Sequence, residues 1–146
     1  DELQKLLGNL EGSTFVKRLK AASRRQLEVA GDLNSMLIDT FGAEGALDER
    51  IKARTDQVAV REFGQSESLY VIQEDLDAYF SRMQEGKFKT VLDEMRDTNA
   101  VGELKEIGDT IKINLNGQSL VKAEFWSDTL DRWAEQLVGP GDPGGT

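Results

Sequence analysis

Residues 15–41 read FVKRLKAASRRQLEVAGDLNSMLIDTF, and this stretch decides the fold. Phe15, Leu19, Ala22, Leu27, Ala30, Leu33, Leu37 and Phe41 recur at the spacing of one face of an α-helix. Ser13 or Thr14 can accept a hydrogen bond from the free amides at its start, and Gly42 is a natural stop. The expected helix has about 27 residues and is roughly 40 Å long.

Outward from this segment the same period continues. Leu3, Leu6, Leu7 and Leu10 form one apolar stripe, which predicts a short preceding helix that breaks at Gly12. Downstream, Leu47, Ile51, Val58 and Glu62 or Phe63 continue a stripe from Ala46, and Leu69, Ile72, Leu76, Tyr79 or Phe80, and Met83 resume it. Residues Gly64 to Ser66 allow a kink or a division, so one long helix or two in sequence fit equally, with Gly86 as the end. A short helix with Phe88, Val91, Leu92 and Met95 inward follows. Asn99 then caps a helix carrying Val101, Leu104, Ile107, Ile111 and Leu115. The alternation of Ile111, Ile113 and Leu115 would also suit a strand, but no partner strand is evident, so helix is preferred. The last helix runs from about Gln118 to Val138 through Leu120 or Val121, Phe125 or Trp126, Leu130, Trp133 and Leu137.

The only prolines, Pro140 and Pro143, lie behind all of these segments, so no strong helix breaker interrupts them. The expectation is an all-α, antiparallel up-and-down helical bundle of about five to seven helices, some of them long. Residues 1–138 form its single domain and residues 139–146 a flexible Gly/Pro tail or linker. A chain of 146 residues is long enough to bury a real core.

Composition restricts the chemistry. There is no histidine and no cysteine. That excludes Ser-His-Asp and Cys-His nucleophile systems, thiolate metal sites, disulfides and the Glu-x-x-His motif of di-iron bundles. A net charge of −9 repels a polyanion at long range, which argues against nucleic acid as a partner. No apolar run is long enough to span a bilayer, so no integral membrane segment is expected. Because the chain starts at Asp1 and shows no signal peptide, it reads as a mature or excised piece of a longer protein.

Several local patterns compete for function. Lys17, Arg18, Lys20, Arg24 and Arg25 are a basic cluster in an acidic chain, with Lys17, Lys20 and Arg24 on one side of the helix. Such a face suits an anion, a phosphate or anionic lipid, or else it is a solvated surface paired with acids elsewhere in the chain. Glu74, Asp75 and Asp77, and then Asp93, Glu94 and Asp97, fit solvated helix faces better than a cation site. The run from Asp97 begins like a calcium loop, but Val101 takes the third ligand position and Gly108 that of the bidentate glutamate. Gly139, Gly141 and Gly144 spell a dinucleotide pattern, yet they follow a helix and contain both prolines, so that reading is rejected. Phe125, Trp126 and Trp133 are either core residues or the wall of a partner groove. No metal and no cofactor is expected.

The closing run Phe125-Trp126-Ser127-Asp128-Thr129-Leu130-Asp131-Arg132-Trp133-Ala134-Glu135-Gln136-Leu137-Val138 resembles segments of large bacterial envelope proteins of uncharacterised function. The resemblance covers that helix and extends at most to the Phe15–Leu33 stretch. It implies one domain of a larger exported or membrane-anchored protein, an envelope location rather than a cytoplasmic one, and no activity.

The expected function is therefore a non-enzymatic protein-interaction or scaffolding domain. Its candidate surfaces are the basic face (Lys17, Arg18, Lys20, Arg24 and Arg25) and the aromatics Phe125, Trp126 and Trp133. The alternatives are a ligand-binding bundle, a carboxylate-dependent enzyme with a pocket between helices, or peripheral contact with an anionic membrane through the basic helix.

Overall fold

The computed structural model describes residues 1–40 and 49–139, and among them every regular element is an α-helix. The expected positions Phe41, Gly42, Ala46 and Leu47, and the tail from Pro140 onward, lie outside the described residues. The helices are α1 (Glu2–Thr40), α2 (Glu49–Met83), α3 (Gly86–Asp97), α4 (Ala100–Lys112) and α5 (Asn116–Leu137).

Hydrogen bonds between helices give their directions. Tyr79 Oη donates to the Gly8 carbonyl at 2.8 Å near one end of α1, and Arg54 donates to Ser35 Oγ at 3.2 Å near the other, so α1 and α2 are antiparallel. Ser66 Oγ donates to the Val101 carbonyl at 2.7 Å, and Lys112 Nζ lies 5.8 Å from the Phe63 ring centroid, so α4 runs back along α2. Lys20 meets Asp131 at 2.7 Å and Ser23 meets the Ser127 carbonyl at 2.7 Å, which makes α5 antiparallel to α1. The result is an up-down-up-down ring in which α3 and α4 together form the third arm. α2 and α5 face each other diagonally across the core, while α1 and α5 pack closest.

The buried positions follow a seven-residue repeat. On α1 the repeat runs through Gly8, Gly12, Phe15, Leu19, Ala22, Gln26, Val29, Leu33 and Met36, alternately three and four residues apart, with Val16, Ser23 and Ala30 buried beside it. On α2 it runs through Thr55, Val58, Glu62, Gln65, Leu69, Ile72, Leu76 and Tyr79, with Ala59 and Ser66 buried beside it, and on α5 through Asn116, Ser119, Ala123, Trp126, Leu130, Trp133 and Leu137, with Ser127, Thr129 and Ala134 beside it. A sustained 3.5-residue period is the pattern of helices that pack knobs into holes at a shallow crossing angle. It explains why Leu27, expected inward, is 58% exposed: the seam passes through Gln26.

The same seam corrects the expected break at Gly12. α1 is continuous because Gly8 and Gly12 are contact positions within it. A Cβ on Gly12 would stand 2.7 Å from the Tyr79 hydroxyl and 3.2 Å from the Phe88 ring, and one on Gly8 would collide with the Met83 side chain. Leu3, Leu6, Leu7 and Leu10 fall off the seam and are exposed. Gly64 to Ser66 does not divide α2. Gly31 and Gly64 open to free space, whereas a Cβ on Gly108 would come within 2.5 Å of Phe63. Gly12→Ala is accordingly expected to destabilise the protein by about 1–3 kcal/mol through overpacking. Gly31→Ala, in contrast, is expected to stabilise it by about 0.5–1 kcal/mol. Urea denaturation of both variants checks the pair, and equal shifts would contradict the assignment.

Helix ends are set by left-handed residues more than by glycine. Gln84 (φ 58°) stops α2, so Gly86 opens α3 instead of closing the helix before it. Asn99 (φ 51°) separates α3 from α4 without a side-chain cap, and Asn114 (φ 67°) turns α4 into α5. At Asn114 the amides of Asn114 and Leu115 bond to the carbonyls of Ile111 (2.9 Å) and Thr110 (3.0 Å), which satisfies the open end of α4. The helix therefore stops at Lys112 and leaves Ile113 and Leu115 exposed, where the sequence pattern carried it through Leu115.

Candidate functional site: the α1–α2 seam and the outer face of α1

At the Gly8 end, Phe15, Tyr79 and Phe88 form an aromatic cluster with centroids 4.7–6.1 Å apart, which ties α1, α2 and α3 together. At mid-height the repeat carries polar side chains instead. Gln26 Nε2 donates to Glu62 Oε2 at 2.6 Å. Gln65 Nε2 donates to Gln26 Oε1 at 3.1 Å and to the Ala22 carbonyl at 2.7 Å. Arg25 Nε donates to Gln65 Oε1 at 2.9 Å. Every donor in this chain points the same way, from the Arg25 guanidinium at the surface to the Glu62 carboxyl in the core. Beside it, Ser23 and Ser127 each donate to the other's carbonyl, at 2.7 and 3.0 Å, across the close α1–α5 contact.

Glu62 is 0% exposed, and its Oε1 has no hydrogen-bond partner among the described residues. Burial pushes its carboxyl up to about 7, while the Gln26 amide acts in the opposite direction. Outside this layer, between α1 and α2, lies a cavity of about 260 Å³ bordered by Arg25, Glu28, Arg61, Gly64, Gln65 and Ser68. Arg61 at its rim is paired with Asp32.

The structure distributes the basic cluster in three directions. Lys20 turns to α5, where the hydrogen bonds it donates to Asp131 and then Glu135 raise its pKa above the usual lysine range. Arg18 pairs with Asp75 of α2 at 2.9 Å and lies over the Phe15 ring, and Arg25 is tied to Gln65. Lys17 and Arg24 point to solvent and have no ion-pair partner among the described residues. The aromatic set divides as well. Trp133 and Trp126 are buried 6.0 Å apart, and Phe125, 59% exposed, packs edge-on against Trp126.

Glu94 of α3 serves packing too. Arg132 on α5 donates to Glu94 at 2.6 Å and holds that carboxyl below the usual range. The Trp133 indole N–H faces Glu94 and acts in the same direction, although it falls short of hydrogen-bond geometry. Among the described residues no three acidic side chains gather closely enough to hold a metal ion, and no helix is long and apolar enough to cross a membrane.

Two features were missed in the sequence. The polar layer is one: Glu62 stands as an alternative to Phe63 on the expected stripe, but Gln26 and Gln65 look like surface residues until the three-and-four spacing through Val58 and Leu69 is followed. The other is the outer face of α1, where Leu3, Leu6, Leu7 and Leu10 are 55–63% exposed along one line that leads to Lys17 and Arg24. No protein-family model, curated protein or solved structure matches the chain.

Proposed function

We propose that this chain is a non-enzymatic helical interaction domain that docks a protein partner on the outer face of α1. The observation that carries this reading is the leucine ridge: Leu3, Leu6, Leu7 and Leu10 each expose more than half of their surface within two and a half turns of helix. Single exposed leucines are ordinary, but leucines clustered along one line form a contiguous apolar patch, and large patches of that kind mark interaction sites. The i, i+3, i+4, i+7 arrangement suits a helix or groove of a partner. The buried chemistry points the same way. Among the described residues Glu62 is the one carboxylate with a strongly raised pKa, and it is sealed in the core, where no substrate reaches it.

A photo-crosslinking residue at Leu6, compared with one at the exposed Gln118 on α5, tests the proposal in cells that make the native protein. The expected result is a discrete protein adduct from position 6 and none from position 118. Replacing Leu3, Leu7 and Leu10 with Gln should abolish the adduct and change stability by less than about 0.5 kcal/mol per site, because these side chains have little burial to lose. No adduct, equal adducts at both positions, or binding to anionic vesicles in place of protein would overturn the reading.

A further inference from the structure

Glu62 sits where a coiled-coil seam ordinarily holds an apolar side chain, and its surroundings are those of a proton-holding group. Its one hydrogen-bond donor is the neutral amide of Gln26, and its second oxygen has no partner among the described residues. The closest cation along the hydrogen-bonded chain is Arg25, two amides away through Gln65. From α4 the core receives Leu104, Ile107 and Ile111, while Glu103, Lys105, Glu106, Asp109 and Lys112 are not buried. From α5 it receives Ala123, Trp126 and Leu130, with Lys122, Glu124, Asp128 and Asp131 also outside. Glu62 is thus the only carboxyl or cationic side chain that is fully buried among the described residues, and nothing charged balances it directly.

A neutral carboxyl in this place leaves one polar atom unsatisfied, whereas a carboxylate leaves a desolvated charge beside it, which is far more costly. The easiest relief is at the α1–α2 seam, where Gln65 and Arg25 already border a cavity on the solvent side. Separation there brings water, or the Arg25 guanidinium, to the carboxylate.

We propose that Glu62 is a proton-controlled latch on the α1–α2 seam: protonated, it closes the polar layer, and ionised, it lets α1 and α2 part over residues 22–29 and 58–65. The latch operates whether or not the outer face of α1 docks a partner. Hydrogen exchange read by mass spectrometry at about pH 6 and about pH 8.5, corrected for intrinsic exchange, measures the opening. Wild-type protection over those two segments is expected to fall about tenfold between the two conditions. In Glu62→Gln, which keeps the shape of the protonated side chain, it should stay constant. An equal fall in both proteins, or none in the wild type, would overturn the latch. The carboxyl carbon resonance of Glu62 in the wild-type protein provides a second measurement that does not depend on the variant folding. A titration midpoint above about pH 6 is expected, and one at or below it contradicts the proposal.

Discussion

Glu62→Gln is expected to be more stable than the wild type by about 3 kcal/mol above pH 8, and equal to it near pH 4.5. The carboxyl moves from 4.5, its ordinary value, to about 7 in the fold, so the native state holds the proton more tightly than the unfolded chain. The stability tied to that proton is complete below the unfolded pKa and drains away as pH rises through about 7. Glutamine removes the dependence and still accepts the Gln26 hydrogen bond through its carbonyl oxygen. Denaturant unfolding of both proteins from about pH 4.5 to 8.5 isolates the effect, because other groups cancel in the difference. Glu94, for example, is held low by Arg132 and contributes stability that is lost in acid, the opposite slope. A difference between the two proteins that stays flat across this window would contradict the burial of an ionisable Glu62.

The second large effect is expected at Trp133. Among the described residues it is the largest of the fully buried side chains, 0% exposed, and it lies 6.0 Å from Trp126 in the C-terminal half of the α5 seam. Trp133→Ala should cost about 3–5 kcal/mol through lost burial and the cavity left behind. That is a large share of the stability of an ordinary domain. Trp133→Phe should cost only about 1–2 kcal/mol, since the indole N–H has no hydrogen-bond partner to lose among the described residues. Phe125→Ala is a useful contrast. Phe125 is mostly exposed and makes one edge contact with Trp126, so the loss should be about 1 kcal/mol. Chemical denaturation near pH 7 ranks the three. A cost below about 1 kcal/mol for Trp133→Ala would mean that this ring does not organise the core.

The inward residues of the short helices were legible without coordinates. Phe88, Val91, Leu92 and Met95 on α3, and Leu104, Ile107 and Ile111 on α4, are buried as their spacing indicates. These helices are strongly amphipathic, so one turn is enough to tell the faces apart. α1 is different. Leucines occupy both its seam and its outer face, and Gln26 sits on the seam while Leu27 does not. Hydropathy alone chose Leu27, whereas the repeat shared by all the long helices chooses Gln26. The candidate site suffered from the same ambiguity. Lys17, Arg18, Lys20, Arg24 and Arg25 look like one basic face in sequence, and Arg18 and Lys20 diverge because the helices on either side supply Asp75 and Asp131.

By itself the sequence determined that this protein is all-α, with its prolines confined to the last seven residues and its apolar residues at helical spacing. Its lack of histidine and cysteine also removed whole classes of chemistry. Helix formation is local, so composition and period within a window of one to three turns are enough to establish it. The tertiary structure alone decided that Gly8 and Gly12 join α1 to α2 and α3 rather than end a helix, that Glu62 and Gln26 are buried together, and that four leucines of α1 are left uncovered. Each of those outcomes depends on the atom opposite, which belongs to another helix and is invisible along the chain.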